Sequence, residues 1–163
     1  MSDPDAIQAV KKAALRLLNF RPRSESELRT RLAQKKLPVD AVDQVIDELE
    51  KAGMLNDEKF AKLYALSRIQ SRALGKGQIC RELQGRGVSA ALVSKAMEAI
   101  ADVDEFEIAK DLAARRLASM KGLSADAKKR RLHGALLRRG FPSGVIFKVL
   151  RELLSSREED QNG

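Results

Sequence analysis

Residues 53–87 read GMLNDEKFAKLYALSRIQSRALGKGQICRELQGRG: a helical start, a basic turn, then a helix ending in glycines. The second half of this stretch recurs on both sides of it. Ile79, Leu83, Val88, Val93, Met97 and Ile100 stand 51 positions after Leu28, Leu32, Leu37, Val42, Ile46 and Leu49. Leu132, Leu136, Phe141, Ile146, Leu150 and Leu153 stand 104 positions after that same first set. Six apolar positions held in register three times define an internal repeat of roughly fifty residues, which fits neither the tetratricopeptide nor the ankyrin period. Repeats of this kind cover their apolar faces against neighbours and present extended surfaces for binding.

Outward from that stretch, each repeat reads as three helices. In the first, Ile7, Val10, Ala14, Leu17 and Leu18 share one helical face over 6–19, after a frayed start at 1–5. Phe20-Arg21-Pro22-Arg23 breaks that helix, because proline disfavours helical geometry in the residue before it. Ser24 with Glu27 has the spacing of a capping box and opens a second helix, and a third runs over 39–51 to a terminating Gly53. In the middle repeat Asn56 or Asp57 caps the first helix, Gly75-Lys76-Gly77 replaces the Arg-Pro-Arg bend, and Ser89 caps the third helix. In the last repeat Asp102 and Glu105 have capping-box spacing, and helices follow at 127–139 and 144–154. The expectation is an all-α fold, a tandem array of three three-helix repeats at 6–53, 54–101 and 102–154 forming an elongated, curved molecule. A polar, disordered tail is expected at 155–163.

Charge narrows the class of partner. The net charge is +8, one third of the residues are charged, and aromatics make up 4% with no tryptophan. Residues 1–53 balance at +1, 54–101 at +4, 102–154 at +5 and 155–163 at −2, so basic character rises along the array. An acidic partner is implied, most simply nucleic acid or a protein that carries it. There is no apolar run long enough for a membrane span and no secretory pattern, and a single cysteine allows no internal disulfide. These features lead to an expectation of a cytoplasmic protein that does not enter membranes.

The repeat also tests its own candidate sites. Cys80 shares an aligned slot with Arg29 and His133, so neither the thiol nor the imidazole reads as a nucleophile or ligand. One His and one Cys some fifty residues apart have no zinc spacing, and Gly75-Lys76-Gly77 lacks the length of a phosphate loop. No catalytic constellation, cofactor or metal is expected. Lys35, Arg86 and Arg139 share another slot in the last turn of the second helix, where the helix dipole favours a cation. Arg68, Arg72 and Lys76 surround the middle bend. Arg115, Arg116, Lys128, Lys129, Arg130 and Arg131 surround the last bend, with Arg138 and Arg139 close behind. With Arg86, these twelve residues read as a basic track suited to phosphate or an acidic protein groove.

At these residues the chain resembles the RecX family. The resemblance lies in Gly53-Met54-Leu55-Asn56-Asp57-Glu58-Lys59-Phe60-Ala61, Ser67-Arg68-Ile69, Gly75-Lys76-Gly77, Glu82-Leu83 and Arg86-Gly87. It extends to Arg21-Pro22-Arg23-Ser24-Glu25-Ser26-Glu27-Leu28 and covers about 7–154. Asn56 departs from the usual pair of aspartates, and asparagine caps a helix equally well. The resemblance implies a monomeric regulator of the RecA recombinase in homologous recombination, DNA repair and the SOS response. It would lie in the groove of the RecA–single-stranded DNA filament and depress ATP hydrolysis, strand exchange and filament growth. Weak binding to single- or double-stranded DNA would accompany this.

A stand-alone, sequence-independent DNA-binding protein is the rival reading. Helices two and three superficially resemble a helix-turn-helix, but the third helices offer few base-reading side chains: only Lys95 at 90–100, and Lys148 and Arg151 at 144–154.

Overall fold

Ser24 closes the first bend by a reciprocal pair of bonds. Its hydroxyl accepts from the Glu27 amide at 3.2 Å, and the Glu27 carboxylate accepts from the Ser24 amide at 3.3 Å. The computed structural model describes residues 3–161, with side chains as far as Ser155. Among the described residues it contains nine helices and no strand. The first three are α1 (Pro4–Phe20), α2 (Glu25–Gln34) and α3 (Val39–Lys51). Next come α4 (Asp57–Ser71), α5 (Lys76–Gly85) and α6 (Ala90–Ala99), then α7 (Glu105–Ala118), α8 (Ala125–Arg138) and α9 (Ser143–Gln161).

Several boundaries differ from the sequence reading, each for a local reason. α1 begins at Pro4 because Asp3 caps it, accepting from the Asp5 amide, and proline at the first helical position has no N–H to leave unpaired. Residues 1 and 2 of the expected frayed start lie outside the described residues. The cap of α7 is Asp104, which accepts from the Phe106 amide at 3.0 Å, whereas Asp102 lies in the preceding turn. α8 starts at Ala125 because Ser124 caps it through the Ala127 amide. α9 runs to Gln161, past the 155 boundary of the expected tail, since no Gly or Pro interrupts Ser155 to Gln161. Side chains beyond Ser155, and residues 162 and 163, lie outside the described residues.

The register of the repeat holds in the core. Of its eighteen apolar positions fifteen are buried, and Leu37, Met97 and Leu153 are half-buried. The first helices add small residues on the same pattern. Val10 and Ala14 in α1, Ala61 and Ala65 in α4, and Ala109 and Ala113 in α7 are all fully buried. A small side chain there lets helix axes approach closely, and alanine carries little signal in a hydrophobic pattern.

The chain packs as two compact units, Met1–Tyr64 with Leu83–Glu98, and Ala65–Glu82 with Ala99–Gly163. In the first, α1 packs on α3 and α2, and the core is built from Val10, Leu28, Leu32, Val45, Ile46 and their neighbours. In the second, α7 packs on α9 and α8 around Leu132, Leu136, Phe141, Ile146 and Val149. Helices α4 and α5 each contribute one end to either unit.

Candidate functional site

The first and middle bends prove to be docking points, whereas the basic track read from the sequence surrounds the middle and last bends. In the first unit the Ser24 hydroxyl donates to the carbonyl of Arg86 at 2.6 Å, and Asp57 accepts from the amide of Glu25 at 2.8 Å. The second unit repeats this at the next bend, whose Gly75 and Lys76 stand 51 residues after Ser24 and Glu25. The amide of Gly75 donates to the carbonyl of Arg139 at 2.7 Å, and Glu105 accepts from the amide of Lys76 at 3.2 Å. The entry to one second helix therefore sits on the exit of the next one, and an acidic residue near the start of the following first helix satisfies an orphan amide.

Glycine is needed at this contact. Gly87 and Gly140 have φ of +77° and +83°, and a Cβ on either would come within 2.3 Å of Ser26 or of the Gln78 backbone. A Cβ on Gly75 would meet the backbone of Gly140 at 2.5 Å. Lys36 holds the same slot in the first repeat, also left-handed at φ +57°.

This docking decides what several of the twelve candidate cations do. Lys76 donates from Nζ to the carbonyls of Ala101 (3.2 Å) and Val103 (3.1 Å), 3.9 Å from Glu105. It ties the start of α5 to the turn before α7. Arg86 pairs with Glu27 and lies over the Tyr64 ring at 4.8 Å. Burial pulls the Arg86 pKa down, but the hydrogen bonds to Tyr64 and Glu27 outweigh it and leave the group above its ordinary value. Arg139 donates from Nη1 to the carbonyl of Arg72, whose own side chain is exposed. Arg68 is half-buried, 4.0 Å from Glu82. Lys76, Arg86, Arg139 and Arg68 are thus engaged within the fold. The dipole at the helix end accounts for little of the aligned Arg86 and Arg139, because each reaches a specific acceptor.

The remaining cations separate by face. Arg116 on α7 and Arg130, Arg131 and Arg138 on α8 line one open groove of about 690 Å³ with Met120, Ala127 and Gly134. All four arginines are exposed, and none forms an ion pair among the described residues. On α8 the positions 127, 130, 131, 134 and 138 make a single stripe. Gly134 in mid-helix costs about 1 kcal/mol relative to alanine, and a Cβ there would stand 3.1 Å from Nη1 of Arg138. The missing side chain leaves the space over which that guanidinium lies. Arg115 is exposed with Nε bonded to the Asp111 carbonyl, Lys128 is half-buried, and Lys129 lines a different recess beside Phe147 and Arg151. Of the basic track, four arginines line one concavity among the described residues.

No group of His, Cys, Asp and Glu among the described residues is placed to hold a metal ion. Cys80 is half-buried and His133 exposed. No helix among the described residues is long and apolar enough to cross a membrane.

Three-helix units, several of whose carboxylates serve caps and ion pairs, with a groove of guanidinium groups that form no ion pair among the described residues, define an all-helical protein of tandem three-helix units. Models of the first, second and third three-helix domains of RecX match residues 11–49, 56–97 and 102–150. The chain is 35% identical to the regulatory protein RecX of Streptomyces coelicolor over 96% of its own length and 83% of that protein's. It is 38% identical to that of Corynebacterium efficiens over 93% of its length and 74% of the relative's. It belongs to the RecX family of regulatory proteins, with three three-helix domains in tandem. The crystal structure of RecX from Lactobacillus salivarius has the same fold, with a TM-score of 0.76 at 23% identity, covering 91% of this chain and 97% of that one.

Proposed function

We propose that this RecX-family protein binds the RecA–single-stranded DNA filament and inhibits the recombinase, depressing ATP hydrolysis, strand exchange and filament growth. It acts by binding and needs no catalysis: stronger affinity for one filament state than for the others shifts the population. In this reading it is a cytoplasmic monomer built of repeats at 6–53, 54–101 and 102–154. The observation that carries the reading is the groove of Arg116, Arg130, Arg131 and Arg138. Four exposed guanidinium groups with no carboxylate partner repel one another, and an anionic surface relieves that repulsion. Planar guanidinium forks match phosphate and carboxylate in two-point contacts, which suits a protein filament that carries DNA.

The test is inhibition of RecA's DNA-dependent ATPase across a salt series. Changing Arg130, Arg131 and Arg138 together to Gln should weaken inhibition and reduce the salt slope by about 2, at about 0.7 per lost single-strand phosphate contact. Changing the exposed Lys12 and Lys35 to Gln should matter much less. Equal losses in both variants would reduce the groove to general charge. Retained binding to naked DNA with no effect on the ATPase would favour the stand-alone DNA-binding reading.

A further inference from the structure

A second basic concavity lies in the first unit, where the sequence shows almost no excess charge. A hollow of about 250 Å³ is lined by Arg21, Arg23, Arg31, Arg86, Ser26, Thr30, Glu27 and Gly85. Glu27 is its one carboxylate, and it is already occupied. Its Oε2 accepts from Arg21 at 3.2 Å and from the Ser24 amide, and its Oε1 accepts from Arg86. Burial raises the Glu27 pKa, but the hydrogen bonds from Arg21 and Arg86 prevail, and the carboxyl stays below its ordinary range. Four guanidinium groups thus face one ionised carboxylate.

Arg23 is the exceptional member. It is only 6% exposed, a rare state for an arginine without a carboxylate. Its Nε donates to the Leu17 carbonyl at 3.2 Å, while its buried Nη1 has no acceptor among the described residues. Burial lowers the Arg23 pKa, the charges of Arg21 and Arg31 lower it further, and the charge of Glu27 offsets this only in part. Arginine nevertheless remains charged at any physiological pH, so the strain has to be met by a counter-charge. Arg31, one turn further along α2, is exposed and forms no ion pair among the described residues. A buried, under-satisfied cation beside a hollow edged by further arginines and two hydroxyl-bearing residues is the arrangement of an anion site that the fold itself does not fill.

We propose that this hollow is a binding site for a phosphate-class oxyanion, held chiefly by Arg23 and Arg31 with Arg21 and Arg86 at its edge. The local excess of positive charge favours an anion, and the guanidinium forks supply directional donors to the several oxygens of a tetrahedral phosphate group. Ser26 and Thr30 stand at the rim, although the Thr30 hydroxyl already donates to the Ser26 carbonyl at 2.9 Å. Inorganic phosphate and a nucleic-acid phosphodiester share this chemistry. The site stands independently of the filament reading, since none of its principal residues belongs to the groove on α7 and α8.

The experiment titrates the full chain with sodium phosphate, replacing chloride at constant ionic strength, and follows the arginine Nε–Hε NMR signals together with the melting temperature. Wild type should show a saturable shift of the Arg23 signal and a phosphate-dependent rise in melting temperature. Arg23→Met and Arg31→Gln should each lose that rise, with affinity weakened at least about tenfold, the order expected for one charge-assisted hydrogen bond. Arg31→Gln alters an exposed side chain, so it tests the site even if Arg23→Met folds poorly. A second arm uses a short single-stranded oligonucleotide without terminal phosphates. The same Arg23 shift there identifies a backbone phosphodiester as the natural occupant, and its absence identifies free phosphate. A linear, non-saturating phosphate response, or an Arg31→Gln protein that binds phosphate as wild type does, overturns the proposal.

Discussion

Four glycines share nearly one positive φ and differ in what surrounds them, which isolates the cost of the docking contact. Gly53, Gly87, Gly122 and Gly140 have φ of +74°, +77°, +79° and +83°. A Cβ at Gly53 or Gly122 would meet nothing within 4 Å, whereas at Gly87 or Gly140 it would overlap neighbouring atoms at 2.3 Å. Alanine at the two open positions should cost only the left-handed penalty, about 1–2 kcal/mol. At the two docked positions the same penalty is joined by overpacking of about 1–3 kcal/mol. For a chain of this size each kcal/mol lowers the melting temperature by roughly 2–4 °C. Gly53→Ala and Gly122→Ala should therefore lose about 2–8 °C, and Gly87→Ala and Gly140→Ala roughly 4–20 °C.

Calorimetry on the four single variants measures this directly. The clash at Gly87 is with the Ser26 side chain, whereas at Gly140 it includes the backbone of Gln78. Ser26→Gly should therefore partly rescue Gly87→Ala, with a coupling of about 0.5–3 kcal/mol in a double-mutant cycle. If all four variants melt together, or the cycle shows no coupling, the docking account is wrong.

Two further predictions follow from side chains that the fold engages. Lys76→Met should lower stability to urea by about 1–3 kcal/mol by leaving the carbonyls of Ala101 and Val103 without their donor, whereas the exposed Arg72→Met should stay within about 0.5 kcal/mol of wild type. Equal costs would return Lys76 to the solvent-facing track. The carboxylates of the first unit should show opposite pH dependences. The hydrogen bond with Glu25, and then burial, raise the Glu50 pKa, so at neutral pH the folded state carries a charge it disfavours. Glu50→Gln should accordingly melt above wild type near neutrality, with the advantage fading as pH falls through the raised value. The Glu27 pKa is depressed, so its contribution is present above the ordinary glutamate range and lost as pH falls through the depressed value. Glu27→Gln should melt below wild type near neutrality and converge with it in acid; parallel pH curves for the two variants would contradict both assignments.

By itself the sequence determined the period and much of the local chemistry. A fifty-residue offset places Leu28, Ile79 and Leu132 in equivalent buried positions because helical spacing and apolar burial are the same physics in each repeat. Ser24 with Glu27, Ser89, and Gly53 at a left-handed turn were legible because caps are decided by residues a few positions apart. Tertiary structure alone decided which charges are free. Lys76, Arg86 and Arg139 look like Arg130 and Arg131 in one dimension, but acceptors 25 to 67 residues away engage the first three. The same holds in reverse for Arg23: a near-neutral first repeat conceals a buried guanidinium without a carboxylate, because net charge counts residues and takes no account of distance.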